Sequence, residues 1–297
     1  MSEPRGTIGA SDVAALFDAH PYESAFSLFM RETGQRAHEE DETTPRQQVG
    51  LDLEPAILAA WGRDEGCDVQ HNKTSWPHPN IKGASATPDG IESCMGEFVA
   101  TVQVKTVQPW ERATYLAGVP RHHFLQVQQE IGCLGVGVGY LVCQFGFNER
   151  AHTPIERDAT IQQEIADKIG HFWRQVAGEA PPPEPDSHRA TIAAMMSRRR
   201  EPKIVDFGDP RIAEMVTKLD VEYQAARFDR IAAEKREERA KAAILNALGD
   251  ADRGVFADGS GYRVSVITKQ IKAKGATTQI QRKLERFDGE QTETGDE

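Results

Sequence analysis

The 297-residue chain is long enough for one large domain, or one domain with an appendage, and its 39% hydrophobic and 27% charged residues are ordinary for a globular protein. A formal net charge of −11 excludes a protein that coats nucleic acid through a uniformly basic surface, although a local basic channel can still hold phosphates. No apolar run approaches bilayer length and the opening Met1–Gly6 has no signal-peptide core, so a cytoplasmic protein with no membrane partner is expected.

Along the chain, Thr7–Phe17 reads as a glycine turn opening a short helix, with Ser11 as N-cap and Asp12 in the first turn. The free N–H groups there, beside Arg5 and Ser11, would also suit a phosphate, although simple capping explains the segment as well. A helix over Ser24–Arg31 stops near Gly34, and the polar stretch to Gln48, with His38–Glu42, reads as surface. Leu51, Leu53, Ile57, Leu58 and Trp61 recur at helical spacing, which predicts a helix over Gly50–Trp61 with Pro55 in its first turn and Glu54 beside it. Strands are expected over Cys67–Trp76 and Ile81–Asp89, the second ending in an Asp89-Gly90 turn. The clearest strand is Phe98–Val107, where alternation puts Thr101, Gln103 and Lys105 on one face and Val102 with Val104 on the other.

Helices over Trp110–Gly118 and His122–Leu134 follow, then an apolar strand over Val136–Phe147 and an amphipathic helix over Ile155–Val176. The order gives an α/β core, a central mixed sheet flanked by helices, over residues 1–180. A proline-rich linker at 181–186 leads into a second part, 187–297. That part combines a charged helix or helix pair over Arg211–Leu248, a β-hairpin strand at Gly261–Thr268 and an acidic tail. Arg198-Arg199-Arg200 is a surface charge run with the capacity to grip DNA. Cys67, Cys94, Cys133 and Cys143 include no Cys-x-x-Cys pair, which argues against a zinc ribbon or an iron–sulfur staple.

One set of residues carries chemistry. Hydrolysing a phosphodiester requires an activated water and charge neutralisation at the phosphoryl oxygens, which Mg2+ held by hard oxygen ligands supplies. Asp89 at the end of one strand, with positions 103 and 105 on one face of the next, would converge if the two strands pair. Glu54 on the preceding helix would complete the set. The pieces Ile8-Gly9-Ala10-Ser11-Asp12, Gly50 with Glu54, Thr87-Pro88-Asp89-Gly90, Val102-Gln103-Val104-Lys105 and Gln126-Val127-Gln128 come in this order. Each is weak alone, and five in order are fairly specific.

On these residues the chain resembles the lambda-exonuclease type of phage recombinase, the YqaJ-type viral recombinases of the PD-(D/E)XK nuclease superfamily, over about residues 5–150. The resemblance implies a Mg2+-dependent exonuclease, with Mn2+ as a substitute, that resects duplex DNA ends from 5′ to 3′. It further implies a ring-shaped homo-oligomer around DNA and a single-strand annealing protein as partner. Asp89, Glu54, position 103 and the Val104 carbonyl would hold metal, and Lys105 would activate water. Gln128 would orient water or phosphate. Arg5, Ser11, Thr87 and Gln126 would contact DNA and its 5′-phosphate.

The departure is Gln103, where the family has an acid. An amide still offers one oxygen but lacks a full charge, which is worth roughly 4 kcal/mol between unit charges about 4 Å apart at an effective dielectric of 20. Three accounts fit: a natural variant relying on Glu54 and Asp89, an inactive relative that binds DNA ends, or an engineered Glu→Gln change. A non-nuclease assembly protein with an α/β core is a further alternative.

Overall fold

The computed structural model describes residues 6–35, 44–146, 149–197, 207–271 and 277–287. Arg5, the acidic stretch His38–Glu42, the Arg198–Arg200 triplet and the tail beyond Phe287 lie outside the described residues. The chain divides into two compact units, Met1–Glu201 and Pro202–Glu297.

The first unit is built on a five-stranded mixed sheet in the order β2-β5-β6-β7-β8, from strands Asp68–His71 (β2), Gly90–Cys94 (β5), Glu97–Val107 (β6), Val138–Phe145 (β7) and Glu149–Glu156 (β8). Only β6 and β7 run parallel, joined by the crossover helix α4 (Arg121–Leu134). A smaller sheet, β1-β4-β3, pairs Ile8–Gly9 (β1), Ala84–Ala86 (β4) and Trp76–Pro77 (β3).

Helix α2 (Pro45–Glu65) covers one face of the main sheet through Ile57, Leu58 and Trp61, packed against Val102, Val104 and Val142. On the opposite face α4 sets Val127 and Ile131 against Leu141, Cys143 and Phe145. Further out, helices α1 (Ala25–Glu32) and α5 (Ala159–Val176) and a 3-10 helix at Val13–Phe17 close a second core around Leu28, Leu125, Ile165 and Phe172. The alternation read from Thr101–Lys105 therefore acquires a direction. Val102 and Val104 point to α2, so Thr101, Gln103 and Lys105 point to α4.

Several boundaries differ from the sequence expectation. Helix α2 begins at Pro45, where Thr44 and Gln47 form a capping box, so Pro55 lies mid-helix rather than in the first turn. Its lost N–H bond falls on the exposed side, and Leu51 and Leu53 are likewise exposed rather than core. Strand β5 escaped the pattern because Glu92, Ser93 and Cys94 break the alternation, and because its turn is made by Met95 (φ 51°) with Gly96 (φ 85°), not by a usual turn pair. Strand β8 is a polar edge strand that accommodates Pro154, and the helix expected from Ile155 starts at Ala159 behind the Asp158 cap. The first helix is a five-residue 3-10 turn flanked by Asp12, not an α-helix capped by Ser11.

The first unit also runs past the proline-rich segment at 181–186. Helix α6 (Arg189–Ser197) returns to α1, where the Thr191 and Ser24 hydroxyls meet at 2.6 Å and Ala194 is fully buried. In the second unit, α7 (Pro210–Leu248) is one 39-residue helix rather than a pair, capped by Asp209 and with no buried residue along it. A hairpin follows, β10 (Gly261–Ile271) antiparallel to β11 (Thr277–Phe287), with β9 (Arg253–Val255) added to β10.

Candidate active site

Asp89 sits between β4 and β5, where the chain passes from the small sheet to the large one. Asn72 fixes this passage twice: its side-chain amide donates to the Pro88 carbonyl at 2.9 Å and its backbone N–H to the Asp89 carbonyl at 2.9 Å. Gly90 then opens β5. A Cβ there would lie 2.7 Å from Leu58 Cδ2, so the glycine serves the close approach of α2 rather than a turn. Because Glu54 is four residues before Leu58, it lies one turn away on the same helix face, above Asp89.

The pairing of β5 with β6 runs from Glu97 up to Val102, opposite Gly90, which leaves the backbone of β6 beyond that point open toward Asp89. The Val104 N–H takes this position, donating to Asp89 Oδ2 at 2.8 Å. A residue's N–H and C=O leave an extended strand on the same edge, so the Val104 carbonyl is directed to the same side. The Gln103 amide Nε2 donates to the same Oδ2, while its Oε1, buried, has no partner.

Electrostatics tie these groups together. Burial pushes the Asp89 carboxyl up, opposed by Lys105, the Val104 N–H, His71 and the Gln103 amide. Burial, reinforced by Asp89, pushes Glu54 up to about 7, against the pull of Lys105 and Lys73. Glu54 Oε2 lies 3.8 Å from His71 Nε2. Asp89, Glu54, Gln103 and Lys105 are therefore brought to one place, by pairing of β5 with β6 and by α2 lying close over Gly90.

Residues 4–136 match the YqaJ-like viral recombinase domain. Solved structures similar to this chain include two exonucleases. One is an alkaline exonuclease (LHK-Exo) from Laribacter hongkongensis, at 22% identity over 59% of this chain and 90% of the other, with a TM-score of 0.48. The second is a phage related exonuclease from Haemophilus somnus 129PT, at 12% identity over 58% and 96% of the two chains, with a TM-score of 0.43. No curated protein matches the sequence.

The YqaJ-like span runs from the segment before β1 to just past the end of α4, and so contains every residue expected at the metal and the 5′-phosphate. They do not all meet. Gln128 is fully buried at the junction of β8 and α5: its Nε2 donates to the Glu156 carbonyl at 2.6 Å, and its Oε1 accepts from the Asp158 N–H and the Gln162 amide at 3.1 Å each. With its amide oxygen and one amide N–H engaged, Gln128 ties β8 to α5. Gln126 is the glutamine on the site side, donating to Glu130 Oε1 at 3.1 Å.

Ser11 and Thr87 are both exposed, each one residue beyond Ala10 and Ala86, which pack together where β1 runs beside β4. The Asp12 carboxylate next to Ser11 is taken by Arg31 at 2.8 Å. Burial, with Lys105 nearby, drives the His123 imidazole down to about 2, and its ring meets the Tyr115 hydroxyl at 2.9 Å. This ring is a neutral packing group.

Sequence reading missed His71, Asn72 and Glu130. The first two lie in a region read as one long strand, with no motif to mark them. Glu130 is fully buried in α4, and burial together with Asp89 pushes its carboxyl up while Lys105 opposes. The one available signal was an acid on the helix face of Phe124, Val127 and Ile131, where a solvated charge is not expected. Among the described residues no three Asp, Glu, His or Cys side chains stand ready-made around a metal position. No helix among them is long and apolar enough to cross a membrane.

Proposed function

We propose that this chain is a metal-dependent exodeoxyribonuclease that resects duplex DNA from 5′ ends and leaves 3′ single-stranded tails for recombination of the phage type. The observation that carries the reading is the convergence of Asp89, Gln103 and Lys105 beneath Glu54. Carboxylates whose protons are held by burial, beside an amide oxygen with no partner, form a hard-oxygen donor set, which suits Mg2+ or Mn2+. Asp89, Glu54, Gln103 Oε1 and the Val104 carbonyl would hold the metal, which when bound neutralises phosphoryl charge and acidifies water. Lys105 would hold the attacking water beside the scissile phosphate. Arg5, Ser11, Thr87 and Gln126 would anchor the terminal 5′-phosphate and the strand behind it.

A ring-shaped homo-oligomer with a basic lumen reconciles duplex binding with the net charge of −11, and a single-strand annealing protein would take up the tails. The test is resection of 5′-phosphorylated linear duplex with Mg2+, by the chain and by Gln103→Glu. Shortening of the 5′-ended strands supports the reading, and duplex left intact by both proteins overturns it. A second reading, an inactive nuclease fold that holds DNA ends, draws on Gln103 itself. It expects salt-dependent end binding by this chain and resection by Gln103→Glu alone.

A further inference from the structure

A buried acid and a missing one have a common explanation. Strand β6 turns Thr101, Gln103 and Lys105 toward α4, and α4 lies close against that face: a Cβ on Gly139 would touch both Thr101 Oγ1 and Val127 Cγ1 at 2.5 Å. Thr101 Oγ1 and Gln103 Oε1 on β6, and Glu130 Oε2 on α4, are buried with no partner. Glu130 is wholly buried and Gln103 is 3% exposed. Gln126 engages only the other oxygen of Glu130, at 3.1 Å. A carboxylate is among the costliest groups to bury without a counter-charge, and Glu130 has no ion pair with any described residue.

We infer that Glu130 is a further carboxylate of the metal site, beside Asp89 and Glu54, supplied from helix α4 in place of the acid that strand β6 lacks at position 103. This rests on the metal-dependent nuclease reading. Gln103 would donate to Asp89 and lend its free oxygen, while the negative charge comes from the helix. Gln126, one turn before Glu130, would hold its carboxylate in orientation. On this account Gln103 marks a relocated charge in a working site.

The experiment measures Mn2+ affinity of the full chain by calorimetry and by electron paramagnetic resonance, in parallel with resection of 5′-phosphorylated duplex. Glu130→Gln keeps the volume and removes the charge, and its fold is checked by circular dichroism and thermal unfolding. It should weaken Mn2+ binding at least tenfold, and Gln103→Glu/Glu130→Gln should recover most of that loss, because the charge returns from the strand. A purely structural Glu130 would give no such rescue. Unchanged Mn2+ affinity in Glu130→Gln, or a double variant as weak as the single one, overturns the assignment even if the chain resects DNA. Where Glu130→Gln does not fold, the double variant and Gln103→Glu decide by the same comparison with wild type: a double variant that folds and binds Mn2+ as wild type supports the exchange, and one that does not overturns it. Glu130-dependent Mn2+ binding without resection by any variant upholds the metal site and overturns the nuclease reading.

Discussion

Replacing Gln103 by glutamate is the most informative single change at this site. The Gln103 amide Nε2 donates to Asp89 Oδ2, so the variant exchanges a donor for a second acid against the same oxygen. Two full charges about 4 Å apart at an effective dielectric of 20 repel by about 4 kcal/mol. Retaining a proton relieves part of this, at about 1.4 kcal/mol for each pH unit between the new pKa and the buffer. A net loss of about 2–3 kcal/mol is therefore expected in the metal-free protein at pH 8, or about 5–10 °C in melting temperature for a unit of this size. Mg2+ should reverse the loss, since each tenfold gain in affinity adds about 1.4 kcal/mol at saturating metal. Differential scanning fluorimetry in EDTA and in a Mg2+ series measures both. An unchanged melting temperature in EDTA would refute the contact between positions 103 and 89, and with it the electrostatic reasoning.

The two glutamines of α4 should differ in effect. Gln128→Ala strips partners from the Glu156 carbonyl and the Asp158 N–H and should cost about 3 kcal/mol in urea unfolding, whereas Gln126→Ala takes the amide partner from the buried Glu130 carboxyl and should cost about 1–3 kcal/mol and lower resection as well. The Glu54 carboxyl, held up to about 7, binds its proton longer in the folded than in the unfolded chain. Stability of the metal-free protein should therefore fall as pH rises from about 4.5 to about 7, and Mg2+ should flatten that fall, as thermal melts across the range would show. Gly90→Ala places a Cβ 2.7 Å from Leu58 Cδ2, so α2 must shift; a stability cost of about 1–3 kcal/mol and weaker Mn2+ binding are expected, both measurable on the purified variant.

Much of the site was legible as residue types and spacing. The alternation through Thr101, Gln103 and Lys105 fixed their common face because side-chain direction in a strand depends only on sequence parity. Asp89 and Glu54 were marked by a Pro-Asp-Gly turn signal and an acid beside a helical proline. The burial of Gln128 between β8 and α5 was not legible, since nothing local says which side of α4 faces strand β6 and which faces β8. Glu130 was hidden for the same reason: an acid within a helix reads as solvated until its neighbours are known.

The sequence by itself determined which groups are present, the α/β class and the order of the main helices and strands. These follow from composition and periodicity, which are properties of short windows of chain. The tertiary structure alone decided that β5 pairs with β6 to bring Asp89 against the open edge of the strand. It also decided that α2 lies close enough over Gly90 to place Glu54 there, and that α4 buries the Glu130 carboxyl. Those are contacts between segments distant in the chain, set by packing across a sheet, and no local pattern encodes them.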